Sequence, residues 1–414
     1  MSNETVNNGE KEEINGNESL QETKLWLDDY LIPKLKLSLN QETSVSQYKV
    51  VNFERLFISD VIFLDLELKN NNNVQTLSLV IKRPNQDEAI REYCQIDKLF
   101  HNEILFYENY MKNSCDYPQC FYTNEKTLSN KVVVVENINK LNYHKCPQKV
   151  NVNMEYILAA MQEIGEFHAK GYVLKSNSPS KFHEIVNGIQ ESRYEYREKN
   201  IFPTLINNLM PRIIKCLRER NYDQHFCDKA EKFFQNSFEN CMQVAMDGKN
   251  IKLATLCHGD FTIDNVFFKK TEFGCKAMLI DFAMLSYASP AIDLSTFIYL
   301  SMSPNDIRTK FHQVFDVYYN SIIGYFKKIN FSPSSEFAKE NFLNDYKKYA
   351  LFGFMIAAFY LPIMHGLKVE KIDFNDAEKN IPYFSDIGGD KFRDILLEMF
   401  IDMKNNGCME QILS

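Results

Sequence analysis

The stretch from Leu256 to Leu294, LCHGDFTIDNVFFKKTEFGCKAMLIDFAMLSYASPAIDL, constrains this chain more than any other. It carries Asp260, Asn265 and Asp281 at separations that let one carboxylate accept a proton while an amide and a second carboxylate supply oxygen ligands to metal ions. Val266 to Phe268 and Ala277 to Ile280 read as short apolar strands joined by a Lys/Thr/Glu/Gly turn. Such a hairpin returns Asp281-Phe282 to the side of the loop it left. Asp, Asn and Gly also serve ordinary turns. Fixed spacing together with a strand-turn-strand context is a stronger signal than turn composition alone.

At 414 residues the chain exceeds the size at which a single core stops growing, so two lobes are expected. We place an N-lobe at 21–138, a helical C-lobe at 139–414, and a disordered tail at 1–20, where Asn, Glu and Gly dominate. The net charge of -8 and the absence of a basic stripe argue against a nucleic-acid binder. Ten cysteines without a CxxC pair or zinc-like His spacing read as reduced thiols of a cytoplasmic protein. The N-terminus has no apolar run of a secretory leader. Tyr349 to Met364, YALFGFMIAAFYLPIM, is apolar but too short for a spanning helix and contains Pro362, so it is expected to be a buried helix.

Taken in order, Leu25 to Leu39 suggests a short helix ending before Pro33. Tyr48 to Phe57, Val61 to Leu68 and Thr76 to Ile81 read as three strands, the third leading into Lys82-Arg83-Pro84. A Lys at that strand end suits the α and β phosphates of a nucleotide. Ala89 to Lys112 has a helical pattern that turns Glu103 toward the sheet, where it would pair with Lys82. Lys131 to Val135, KVVVV, fits a strand buried on both faces, and the backbone that follows, at Glu136 and Ile138, is positioned for an adenine. Met154 to Lys170 reads as a helix stopped by Gly171, with His168 a packed or capping histidine. Phe182 to Asp247 reads as helical, broken at Pro203 and Pro211, and Asp293 as a brace for the catalytic loop or a helix cap. His258-Gly259-Asp260 with Asn265 has the form of a kinase catalytic loop. The fold expected is α+β: a bilobal protein-kinase-like arrangement of a small antiparallel-sheet N-lobe with one main helix and a larger, mostly helical C-lobe.

LVIKRP at 79–84, FHNEILFYENY at 100–110, VVVVENI at 132–138, EFHAKGY at 166–172, LCHGDFTIDNVFF at 256–268 and LIDFAMLSYASPAIDL at 279–294 together resemble the insect ecdysteroid kinase-like family, related to choline and aminoglycoside kinases. The resemblance implies Asp260 as catalytic base, Asn265 and Asp281 as magnesium ligands, and Lys82 as phosphate anchor with Glu103 as its partner. It departs at two places. Thr262 stands where the family usually has Trp, and Leu56 to Val61, LFISDV, lacks the family's Gly, leaving Ser59 to offer its hydroxyl and amide to the nucleotide.

The function these expectations support is an ATP- and magnesium-dependent small-molecule kinase that phosphorylates a hydroxyl of an ecdysteroid or similar hydrophobic xenobiotic, as in hormone inactivation or detoxification. The protein is expected to be monomeric, without a membrane span. Two alternatives stay open: a pseudokinase that binds a hydrophobic ligand without turnover, and a choline- or aminoglycoside-type kinase.

Overall fold

Strands β1 (Ser44–Arg55), β2 (Ser59–Asn70), β3 (Asn73–Pro84), β4 (Cys120–Asn124) and β5 (Val132–Glu136) form an antiparallel sheet in the order β1-β2-β3-β5-β4. The computed structural model describes residues 21–39, 44–70, 73–112, 114–272, 274–367, 373, 376 and 378–413. The expected disordered tail, 1–20, lies outside them. The chain divides into two compact units, Met1–Phe100 with Asn113–Leu141, and His101–Lys112 with Asn142–Ser414. The first is a small antiparallel sheet with helices and the second is mostly helical, the two classes of unit the sequence implies.

In the first unit, Ile62, Leu64 and Leu66 alternate on β2 as a half-buried strand requires, and pack with Leu79, Ile81, Val132 and Val134 against Leu27, Leu31, Ile32 and Leu35. That helix does not end at Pro33. Residues 21–38 are helical without a break, and a π-turn at Leu27–Leu31, closed by Ile32 N donating to Leu27 O, shifts the hydrogen-bond ladder just before Pro33, which has no N–H to add to it. β2 and β3 extend beyond both ends of the expected segments, because hairpin pairing recruits polar residues such as Lys69 and Gln75 into the ladder. β5 is the interior strand expected of KVVVV, with Val132 to Val134 fully buried. β4 had no distinguishing pattern in five half-buried residues. The β1–β2 turn closes without glycine through Leu56 N donating to Ser59 O at 2.8 Å. The Ala89 to Lys112 pattern becomes a helix at Glu88–Cys94 and a second at Ile96–Leu105 that continues as a π-turn at Phe106–Tyr110, because Gln95 takes a left-handed conformation at φ 52° between them.

In the second unit, β6 (His144–Lys145), β8 (Val266–Thr271) and β9 (Gly274–Leu279) make a three-stranded sheet, and β7 (Thr255–Cys257) pairs with β10 (Ser286–Ala288). The helix from Met154 runs to Asn177, past Gly171. Gly171 is there for close packing: a Cβ would stand 2.3 Å from Thr255 Oγ1 on β7. Residues 189–201 are not helical, and Pro203 and Pro211 open helices at their first turns rather than breaking one. Leu351–Met364 is the expected buried helix, with Phe352, Phe354, Met355 and Ala358 inaccessible or nearly so. No single helix among the described residues is long and apolar enough to cross a membrane, although Lys339–Tyr349 and Leu351–Met364, bent by 49°, pass together on length and composition. All ten cysteines are free.

Asp345, in the Lys339–Tyr349 helix, gives this unit a pH dependence. Burial pushes its carboxyl up from 3.8 to about 6 although the Ser289 hydroxyl donates to it at 2.5 Å. Between those values the native state binds more protons than the unfolded one, so stability falls as pH rises through the window and stays lower above it. The contribution lost is on the order of 2–3 kcal/mol. Denaturant unfolding between about pH 4 and pH 7 should show this decline in the wild type and a flatter profile in Asp345→Asn. Identical profiles would rule the group out.

Candidate active site

The catalytic stretch is held from beneath by one buried carboxylate. Asp293, 1% exposed in the Ala291–Ser301 helix, accepts His258 N at 2.7 Å through Oδ2 and Gly259 N at 2.9 Å through Oδ1. His168, fully buried, donates Nε2 to the same Oδ2 at 3.0 Å and meets the Tyr318 hydroxyl through Nδ1 at 2.9 Å. Asp293 is therefore a brace. The cap of its helix falls to Ser289, whose Oγ accepts Ala291 N at 3.1 Å. Three donors on one buried carboxylate offset the cost of removing its charge from water.

Gly259 turns the loop at φ 80°, and a Cβ there would lie 1.9 Å from the Met284 carbonyl oxygen. The side chain of His258 fixes its own tautomer. Nε2 faces the Ile280 carbonyl at 2.9 Å and so donates, leaving Nδ1 to accept Asp260 N at 3.3 Å. The half-buried Asp260 carboxylate is thereby set at the loop surface. Asn265 then donates Nδ2 to both Asp260 O and Asp260 Oδ2, each at 2.9 Å. With both amide hydrogens directed at Asp260, the Oδ1 of Asn265 is turned away from it.

The hairpin does what its apolar halves implied. Val266 pairs with Leu279 and Phe268 with Ala277, and Ile280 N donates to Asn265 O at 3.0 Å, so the strand entering Asp281 returns to the loop that left. Asp281 is half-buried at φ 64°, a left-handed conformation that Asp tolerates at a cost of about 1 kcal/mol. The neighbouring Phe282 anchors it: fully buried, its ring stacks on Phe106 at 3.5 Å and lies 5.0 Å from the His258 ring. Asn265 Oδ1 and the Asp281 carboxylate are hard oxygen donors, the kind magnesium takes, and the donor set fits that ion. A second cluster, His168, Cys257 and Asp293, is buried and close. It does not fit a metal. Burial raises the Cys257 thiol, whose one proton is within reach of the carbonyls of Thr255, Ala288 and Ser289, while Asp293 is committed to its amides.

The model of the ecdysteroid kinase-like family matches residues 55–331. The chain belongs to the ecdysteroid kinase-like family. Membership supports a phosphotransferase acting on small molecules, and the matched span holds Asp260, Asn265 and Asp281 as well as Lys82 and Glu103. Among solved structures the chain is similar to an ethanolamine kinase of Plasmodium vivax, at 12% identity and a TM-score of 0.39 over 83% of this chain and 82% of that one. It is also similar to a microcompartment-associated aminopropanol kinase, at 11% identity and a TM-score of 0.42 over 92% and 99% of the two chains. A third similarity, at 10% identity and a TM-score of 0.29 over 94% and 98%, is to a thermostable mutant of an aminoglycoside phosphotransferase in complex with ADP and hygromycin B. Comparison with curated proteins gives no match.

In this family member the residues read for a nucleotide occupy the following places. Lys82 is half-buried on β3, opposite Val61 and Val133, and Glu103, 2% exposed, lies in the Ile96–Leu105 helix. Ser59 opens β2 opposite Pro84 and is 3% exposed. At the end of β5 the Glu136 amide donates to Gln119 O at 2.8 Å and the Asn137 amide to Ser78 O at 2.9 Å, so Ile138 supplies the first amide past the ladder.

Beside Asp260 opens a cavity of about 260 Å³, bounded by Thr262, Asn265 and Asp264 of the loop, Thr296 and Leu300, the Phe352, Ile356, Tyr360 and Met364 face of the apolar helix, and Arg193 with Tyr194. Thr262 thus forms wall where the family usually has Trp. Sequence reasoning missed Arg193, Tyr194, Thr296 and Tyr360. Residues 189–201 read as one more helix, and no spacing marks residues that meet only in the folded unit.

Proposed function

We propose that this protein is an ATP-dependent kinase that phosphorylates a hydroxyl of a small, largely apolar molecule, with an ecdysteroid as the family-implied acceptor. Asp260 takes the proton of the attacking hydroxyl, and the hydroxyl oxygen bonds to the γ-phosphorus as the bond to the leaving ADP oxygen breaks. Asn265 orients Asp260 through its amide hydrogens and, with Asp281, would hold magnesium, which supplies charge neutralisation for the phosphates. Lys82 is assigned to the phosphates with Glu103 as its partner, Ser59 to the phosphate end, and Glu136 and Ile138 to the base.

The observation that carries this reading is the double donation of Asn265 to Asp260 within a loop pinned by Asp293. It fixes a carboxylate at the surface of a cavity and points an amide oxygen elsewhere, the division of labour a base and a metal ligand require. Incubation with γ-labelled ATP, magnesium and a panel of steroid and xenobiotic alcohols should transfer label to an acceptor, and transfer should stop when magnesium is chelated. Label appearing on no acceptor, with or without magnesium, would overturn the proposal.

A further inference from the structure

The cavity beside Asp260 contains a cation of its own. Arg193 is half-buried on the non-helical segment 189–201, and among the described residues no carboxylate forms an ion pair with it. Burial works against its charge, yet the groups around it, Tyr360, Tyr194 and Asp260, raise its pKa above the usual arginine value. Its outer face lies over the Phe202 ring, 4.9 Å from the centroid. Of the two acids lining the cavity, Asp264 is paired with Lys149 at 3.4 Å and Asp260 is bonded to Asn265. One aromatic face, that of Phe202, is thus already taken by an arginine.

A second polar group in the same cavity has no partner. Thr296 is 5% exposed, and its Oγ1 is buried without a hydrogen bond. An orphaned hydroxyl is unfavourable in a helix of this kind unless something else meets it. A guanidinium offers donors only, and a hydroxyl can donate as well as accept. Leu300, Phe352, Ile356 and Met364 give the cavity an apolar wall, and Thr262 adds a further hydroxyl beside Asp260.

We propose that Arg193 sets the charge selectivity of the acceptor cavity: with Thr296 it binds a carbonyl or hydroxyl oxygen on an uncharged acceptor and excludes amino alcohols. This rests on the kinase reading of the same site, and deepens it by naming what the acceptor must carry and must not carry. An apolar alcohol with an oxygen function remote from the reacting hydroxyl satisfies the apolar wall, Arg193 and Thr296. An ammonium placed there meets a like charge in a part-buried site, where repulsion is poorly screened.

The test compares matched acceptors with the full-length protein: keto-alcohols, the same skeletons with the ketone replaced by a methylene, and amino alcohols such as ethanolamine and choline. Wild-type kcat/KM should favour the keto-alcohol over the methylene analogue by about tenfold or more, chiefly through KM, and over the amino alcohols by more still. Arg193→Met should erase the first preference and narrow the second, while Arg193→Lys should keep the bias against amines. Thr296→Val should cost only the acceptors that carry the second oxygen. Amino alcohols turned over by wild type as well as the neutral series would refute the proposal without variants, as would unchanged ratios in a folded Arg193→Met. Phosphorylation of no acceptor would instead remove the kinase reading on which it stands.

Discussion

Asp260→Asn is expected to lower kcat by about 10²–10⁴-fold, the contribution usual for a positioned general base, while leaving the protein folded and ATP affinity unchanged. Asn at this position keeps an oxygen to accept Asn265 Nδ2, so the loop loses its base but not its hydrogen bond to the amide that orients it. The rest of the loop is held through backbone groups that the substitution does not touch, His258 and Gly259 to Asp293 and Asp260 N to the His258 ring. Steady-state kinetics with a responding acceptor, beside thermal melts of both proteins, would measure it. A variant that melts like the wild type and turns over at the same rate would place the base elsewhere.

Asp293→Ala should be the most damaging substitution to the fold. It leaves two backbone amides and the His168 ring nitrogen, all deep in the second unit, with no acceptor. Removing one side of a buried, fully bonded charge costs about 3–5 kcal/mol. The loss should appear as a lower denaturation midpoint and as a fall in turnover, since Asp260 and Gly259 are set by the same carboxylate. His168→Ala should cost less, because the two loop amides keep Asp293 bonded. A change below about 1 kcal/mol in Asp293→Ala would mean that the loop is held by its own turn and not by this residue.

The parts of this molecule that were legible in the sequence are those in which a local pattern and its tertiary use agree. Gly259 is a glycine because of its positive φ and the Met284 carbonyl beside it, and the hairpin from Val266 to Leu279 follows from two apolar runs and a turn. Val132 to Val134 could only be an interior strand. Where packing decided against local propensity, the sequence misled. Gly171 looked like a helix stop but serves the approach of Thr255, and Pro33 looked like a helix end but sits inside a continuous helix directly after a π-turn. Residues 189–201 carried enough Tyr and charge to resemble the helices around them. Their departure from helix is what brings Arg193 to the cavity of Asp260, and nothing in their spacing announces it.

The central claim is that one bent ribbon in the second unit carries the chemistry of phosphoryl transfer. It is tested most directly by mass spectrometry of an acceptor panel after incubation with ATP and magnesium, wild type beside Asp260→Asn, with the ATP-induced melting shift recorded for each. The account predicts an acceptor heavier by one phosphoryl group with the wild type only, and a magnesium-dependent melting shift with both. An equal yield of phosphorylated product from the two proteins would contradict it, as would a wild type that neither forms product nor responds to ATP.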